Sequence, residues 1–144
     1  MKTITKSDLS KLPHTLQVYF ALFCAKQAAH LVKPEHKVVC DKALETVELW
    51  LDGKATAEEC KTAAYAAWFA AADAAADAAA DAAYAVAYAA AYAANAAAYA
   101  TNAATAAAYA YTADTDKQAI IEAQWAYYKE LLAFETIIED VLLA

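Results

Sequence analysis

Glycine and proline are nearly absent from this chain of 144 residues, which contains one Gly and two Pro. Tight turns, including those that connect strands of a sheet, commonly need glycine or proline. Alanine, the best helix former, fills the middle of the sequence. The sequence therefore predicts an all-α fold, a single-domain helical bundle of about four to six helices around a long alanine-rich helical segment. By its length, the chain is expected to form one domain, residues 1–144.

The common catalytic motifs are also missing. With a single glycine, the chain has no P-loop, no Rossmann glycine pattern and no GxSxG element. His14, His30, His36 and the three cysteines have no CxxC, HxxxH or HExxH spacing, so we expect no metal site. The sequence predicts a protein that is not an enzyme, with no catalytic residues and no cofactor.

Positive charge is scarce, because 11 Lys and Arg stand against 18 Asp and Glu and the net charge is −7. Nucleic acid and anionic lipid attract clustered Lys and Arg, so we expect neither as a direct partner and predict a basic protein instead. The uncharged run at residues 82–113 contains Asn, Thr and much Ala, which disfavours a membrane helix. Three cysteines without close spacing and no apolar leader favour a cytoplasmic location.

Proline and glycine mark two helices in the N-terminal part, residues 1–55. The first is predicted to begin at Pro13 and to run to about Leu31, because apolar residues recur there every three or four positions. The second is predicted to begin at Pro34 and to end just before Gly53, which supplies a left-handed stop.

Two further segments complete the predicted organisation. Residues 56–112 are an Ala/Tyr/Asp-rich helical segment that begins with a capping box between Thr56 and Glu59. Residues 113–144 hold a C-terminal helix from about Lys117, which the preceding polar residues are expected to cap.

Large polar side chains recur every three or four residues in the alanine-rich segment, from Asp73 to Tyr109. Their mean spacing matches the 3.6 residues of a helical turn, so a straight helix would align them on one face. Two arrangements stay open, a single long rod or a chain that folds back at Asn95 or at residues 100–102. The candidate partner-binding residues on this stripe are Asp73, Asp77, Asp81, Tyr84, Tyr88, Tyr92 and Tyr99.

The stripe has two interpretations. Aspartates at i, i+4 and i+8 would form an acidic surface for a basic partner, and exposed tyrosines would add binding energy. Alternatively, the aspartates form a solvated face, or one that Lys26, Lys37 or Lys42 neutralises, while the tyrosines fill the core. Side chains of these types take the second role more often.

Several short elements resemble one known family. They are Leu22-Phe23-Cys24-Ala25, Cys40-Asp41-Lys42-Ala43, Trp50-Leu51-Asp52-Gly53-Lys54 and Glu58-Glu59 before the long alanine tract. Across about residues 16–112, the chain is similar to the alanine-rich immunity proteins called the Imm5 family, and such alanine-rich proteins also occur in bacteriophages. The resemblance implies an all-helical protein that neutralises a toxin, and it assigns no site residue.

We therefore expect a non-enzymatic protein that inhibits or neutralises a macromolecular partner, as an immunity protein or a phage-encoded inhibitor of a host protein. The partner would be a basic toxin, nuclease or other host enzyme. The alternative is a self-associating structural protein, in which the tyrosine stripe and the C-terminal apolar residues are buried in a homo-oligomer.

Overall fold

The computed structural model describes residues 2–73, 84–86, 88, 99–111 and 114–143, and for residues 72–73, 99–101, 114, 140 and 143 it describes the backbone alone. Every regular element in this part of the chain is helical, which confirms the all-α fold class. A 3₁₀ turn at Ala29–Leu31 follows the second helix. The α-helices are α1 (Lys6–Leu9), α2 (His14–Ala28), α3 (Pro34–Leu51), α4 (Ala57–Asp73), α5 (Tyr99–Tyr109) and α6 (Asp114–Leu143).

Helix α2 forms the centre of the bundle, because it is buried on most of its sides. Phe20, Ala21 and Leu22 are consecutive and all buried, although consecutive residues of a helix point about 100° apart. The helix contacts α3, α5 and α6. The apolar residues that recur every three or four positions are therefore only part of the buried surface of α2, since neighbours cover the helix from several directions.

Helix α5 packs against α2 through alanine. Ala103, Ala104, Ala106 and Ala107 are buried, and their small side chains let two helices approach closely. The predicted break at residues 100–102 is wrong, because these residues lie inside α5. Alanine favours the helical backbone there, and burial of the following alanines against α2 adds tertiary stabilisation that outweighs the weaker propensity of Thr and Asn. Asn95, the other predicted break, lies outside the described residues.

Helices α3 and α4 form a helical hairpin, and its local signals are those predicted. Pro34 is the first residue of α3, and Gly53 has φ +74° just after that helix ends. The Glu59 backbone N–H donates to Thr56 Oγ1 at 3.1 Å, and the Thr56 N–H donates to Glu59 Oε1 at 3.3 Å. The capping box is thus confirmed.

Two helix starts differ from the prediction. The short helix α1 was not predicted, although Thr5 and Asp8 form a capping box in which the Thr5 N–H donates to Asp8 Oδ2 at 2.9 Å. Helix α6 begins at Asp114 rather than near Lys117. The acidic residues expected before the helix lie in its first turn, where the helix dipole favours negative charge.

Contacts across the alanine-rich segment exclude a single straight rod. The rings of Trp68 and Tyr88 lie 5.7 Å apart, centroid to centroid. On one continuous straight helix these two residues would be about 30 Å apart along the axis. The stripe predicted from Asp73 to Tyr109 is therefore not one face of one helix.

A buried amide joins the helices around α2. Gln124 of α6 is fully buried, and its Nε2 donates to Gln27 Oε1 and to the Ala104 carbonyl, each at 3.0 Å. Gln27 Nε2 in turn donates to the Ile120 carbonyl at 3.2 Å, and the Tyr111 hydroxyl donates to the Gln27 carbonyl. One polar group thus sets the register of α2, α5 and α6.

We predict that Gln124→Ala lowers the free energy of unfolding by about 2–4 kcal/mol, because it leaves a cavity and unpaired buried acceptors. Urea denaturation followed by circular dichroism measures the change. The control is Glu122→Ala, an exposed residue of the same helix, which should change the free energy by less than about 0.5 kcal/mol. Equal stability of the two variants would contradict the assigned role of Gln124.

Candidate functional site

A group of aromatic side chains extends from α4 through Tyr88 and Tyr84 to α5. We call it the aromatic belt, and it is the largest aromatic feature in the alanine-rich part of the chain that the structure describes. Four of its members, Tyr65, Trp68, Tyr88 and Tyr84, are joined by ring contacts. We include Tyr109, which lines a cavity with Tyr84 and Tyr88, and Phe69, which follows Trp68 on α4.

The rings of the belt contact one another in sequence. Tyr65 and Trp68 have ring centroids 6.2 Å apart, and Trp68 meets Tyr88 edge to face at 5.7 Å and an interplanar angle of 87°. Tyr88 and Tyr84 stack at 6.3 Å with an angle of 29°. Edge-to-face and offset-stacked contacts of this kind are favourable beyond the area that they bury, so the rings hold one another in place.

A small cavity continues the belt towards α5. It has a volume of about 190 Å³, and Tyr84 and Tyr88 line it together with Asn102, Thr105, Ala106 and Tyr109. The ammonium group of Lys117 lies 5.6 Å from the centre of the Tyr109 ring, within the range of a cation–π contact. The cavity therefore has aromatic walls and polar amide and hydroxyl groups at its α5 side.

The belt has an anchored inner part and an exposed outer part. Trp68, Tyr84 and Tyr88 are half-buried and pack against the core. Phe69 is 76% exposed and Tyr109 is 60% exposed. The half-buried rings, which neighbours hold in place, would lose little conformational entropy on binding, and aromatic residues supply much of the energy at protein interfaces.

The structure brings two of the predicted site residues together, Tyr84 and Tyr88. Asp73 ends α4 and Tyr99 begins α5, with only their backbones described. Three of the predicted residues lie outside the described part of the chain, namely Asp77, Asp81 and Tyr92.

Two of the lysines considered as neutralising partners bind other acidic residues. Lys26 Nζ lies 2.6 Å from Glu48 Oε1, between α2 and α3. Lys37 Nζ lies 3.3 Å from Asp41 Oδ2 on the same helix. Each of these ammonium groups thus has a carboxylate partner outside the alanine-rich segment.

Sequence reasoning missed the α4 members of the belt. Tyr65 and Phe69 precede Asp73 at steps of four residues, so they extend the predicted stripe by two positions towards the N-terminus. The same helical spacing that defined the stripe would have found them. Trp68, whose ring links Tyr65 to Tyr88, is not at one of these four-residue steps. Only its contact with Tyr88 in the tertiary structure identifies it as a member of the belt.

The ionisable groups described offer little nucleophilic chemistry. Burial raises the pKa of the Cys40 and Cys60 thiols to about 11, helped by the charges of Asp41 and Glu59, and it raises the pKa of Cys24 well above its ordinary value. A thiol with a raised pKa is protonated at neutral pH and is a poor nucleophile. These cysteines therefore act as small buried apolar residues.

Two other kinds of site were searched for over the described residues. No three or more His, Cys, Asp and Glu side chains among them are grouped so that they could hold a metal ion. None of the described helices has the length and apolarity needed to cross a membrane.

We predict that the three native thiols resist Ellman's reagent in the folded protein at pH 8, because all three are buried and burial raises the pKa of each. For Cys40 and Cys60, a pKa of about 11 leaves about one molecule in a thousand as thiolate. All three should react in denaturant. Asn102→Cys, which places a thiol on the exposed side of α5, should add one fast-reacting group and serves as the control. Rapid labelling of the native thiols without denaturant would contradict their burial.

Comparison with known proteins adds one finding. A family model described as "Imm-5 like putative immunity protein" matches residues 7–131, which include the described part of the belt. No curated protein and no solved structure matches the chain.

Proposed function

The chain belongs to the Imm5-like immunity protein family, and from this premise we propose that it neutralises a protein toxin by binding it directly, without catalysis. The single observation that supports this mode of action best is the aromatic belt, in which the exposed rings of Tyr65, Phe69 and Tyr109 accompany half-buried rings and Tyr65 contacts Trp68 directly. Such a surface suits recognition of a protein, because large rigid side chains bury much area at low entropic cost.

The acidic residues of the stripe belong to the same proposed surface. Asp73, Asp77 and Asp81 lie in the sequence between Phe69 and Tyr84, which are both belt residues. Carboxylates this close in sequence to belt residues favour a partner that combines Lys or Arg with an apolar contact. The partner proposed is therefore a basic toxin, with a nuclease as one example.

The net charge of −7 supports the same choice of partner. Opposite charges speed the encounter of two proteins and lower the affinity for wrong partners that carry the same charge. An immunity protein must bind its toxin before the toxin damages the cell, so fast association is useful.

The same surface would serve a phage-encoded inhibitor of a host enzyme or a contact between identical chains. The family description favours the immunity role over both. Light scattering distinguishes self-association from the immunity role. Self-association predicts a stable homo-oligomer in the absence of any other protein.

The first test expresses, one at a time in a bacterium, the proteins encoded beside the gene for this chain and takes one that stops growth as the toxin. We expect co-expression of the chain to restore growth and the purified proteins to form a one-to-one complex. Failure of the wild-type chain both to protect and to bind would overturn the proposed function.

The belt is tested with the double variant Phe69→Ala/Tyr109→Ala. We expect the Kd for the toxin to rise by about 30-fold or more, the scale of a lost interface hot spot. The free energy of unfolding should change by less than about 1 kcal/mol, because both side chains are largely exposed. Val38→Ala on α3 is the matched control, since Val38 is 78% exposed and lies outside the belt. An unchanged Kd would exclude the belt as the binding surface.

The acidic stripe is tested by replacing Asp73, Asp77 and Asp81 with Asn. We expect slower association and a weaker dependence of the rate on salt, because steering charges are removed while side-chain shape is kept. The control changes the net charge equally at exposed positions elsewhere, with Glu45→Gln, Asp52→Asn and Glu58→Gln. The same effect in both variants would mean that total charge, and not this stripe, steers the partner.

A further inference from the structure

Helix α6 carries a row of exposed apolar side chains beyond its packed part. Leu131 is the last buried residue of the helix among those described. From Ala133 to Leu142 the described side chains are exposed, except that of Glu135, which is half-buried. We call the large apolar residues of this stretch the C-terminal apolar face, and they are Phe134, Ile137, Ile138, Val141 and Leu142.

The spacing of this face is typical of a helix that docks into a groove of another protein. Its residues follow the pattern i, i+3, i+4, i+7 and i+8, which places them on one side of α6. Val141 is 69% exposed and Leu142 is 79% exposed. Amphipathic helices that dock into a groove use anchors at this spacing.

The charges beside the face favour a basic partner over a second copy of the chain. Glu130 and Glu139 are exposed and Glu135 is half-buried, while Lys129 is the last basic residue in the sequence. Two copies meeting through this face would bring these carboxylates together, in addition to the repulsion between chains of net charge −7. A rim of Lys or Arg complements them.

The size of the face also disfavours self-association. The helix from residue 133 to residue 142 is about 15 Å long. A stable protein interface buries about 800 Å² on each partner, which one side of three helical turns does not supply. A groove that encloses the helix covers more of its surface than a second helix does.

The exposed stretch lies outside the part of the chain that the family model covers, since the match ends at Leu131. The packed half of α6 is thus within the region matched by the family model, and the apolar face lies beyond it. A surface of this kind can distinguish one toxin from another, because specificity is a difference in affinity between partners.

We propose that the C-terminal apolar face docks into an apolar groove of the toxin that is rimmed by Lys or Arg. The proposal rests on the proposed function and adds to it a second contact, separate from the aromatic belt. The face supplies the apolar anchors, and Glu135 and Glu139 pair with the basic rim.

The test is the double variant Ile137→Ser/Val141→Ser, measured by calorimetric titration with the toxin that the growth test of the proposed function identifies. Ser has a helix propensity close to those of Ile and Val, so the backbone of α6 should be kept. We expect the Kd to rise by about 30-fold or more, with an unchanged thermal midpoint. Val38→Ser on α3 replaces an equally exposed apolar side chain and should bind as the wild-type chain does.

A second variant tests the rim of the groove. Glu135→Gln/Glu139→Gln keeps the shape of both side chains and removes their charge. We expect a slower association rate and a weaker salt dependence of that rate, with the apolar anchors still in place. Rates equal to those of the wild-type chain at every salt concentration would exclude a basic rim.

The outcomes separate this proposal from the proposed function. If the wild-type chain binds and protects while Ile137→Ser/Val141→Ser does both equally well, the face is not a toxin contact and the proposed function stands. If the wild-type chain is a dimer that this variant dissociates without loss of toxin binding, a second copy covers the face. If the wild-type chain does not bind the toxin, both proposals fall.

Discussion

The close packing of α2 against alanine is the constraint on which the rest of the structure depends. Helix α2 carries large buried residues such as Phe20 and Val18, and α5 meets it with Ala103, Ala104 and Ala107. Alanine fits there because close-packed interiors leave no room for extra volume, and a small residue lets the backbones approach. A core so thin has little apolar area of its own, so polar contacts such as those of Gln124 have a large share in fixing the register of the helices.

The same constraint explains where the aromatic residues lie. Since α5 turns its alanines towards α2, its larger residues Asn102 and Tyr109 are exposed. Helix α4 repeats this arrangement, with Ala64 and Ala67 buried and Tyr65 and Phe69 exposed. Ordinary amphipathic helices bury their large apolar residues and expose small or polar ones. The reversal gives this bundle an aromatic outer surface, which is unusual for a protein without a partner and supports the proposed binding role.

The two halves of helix α6 differ in how much of their side-chain surface is buried. In its first half, the Tyr128 hydroxyl donates to the Asp8 carbonyl at 2.6 Å, and the Tyr127 ring stacks on Phe23 with centroids 4.3 Å apart. After Leu131 no described side chain of the helix is buried. The bundle thus has two exposed surfaces with large apolar or aromatic side chains, the aromatic belt and the C-terminal apolar face. Residues held on rigid helices position an interface more accurately than residues on loops do.

The sequence by itself determined the helical class and the ends of the helices that depend on local chemistry. Pro34, Gly53 and the Thr56–Glu59 capping box act within a few residues, so their effect can be read without knowing the fold. Only the tertiary structure decided that residues 100–102 continue a helix, that Trp68 meets Tyr88, and that Tyr84 is half-buried while Phe69 is exposed. The spacing of the alanine-rich segment separates a face of large side chains from faces of alanine, but a face of either kind can be the buried one. Which face is buried is therefore set by contacts between residues far apart in the chain, and a periodic pattern carries no information about them.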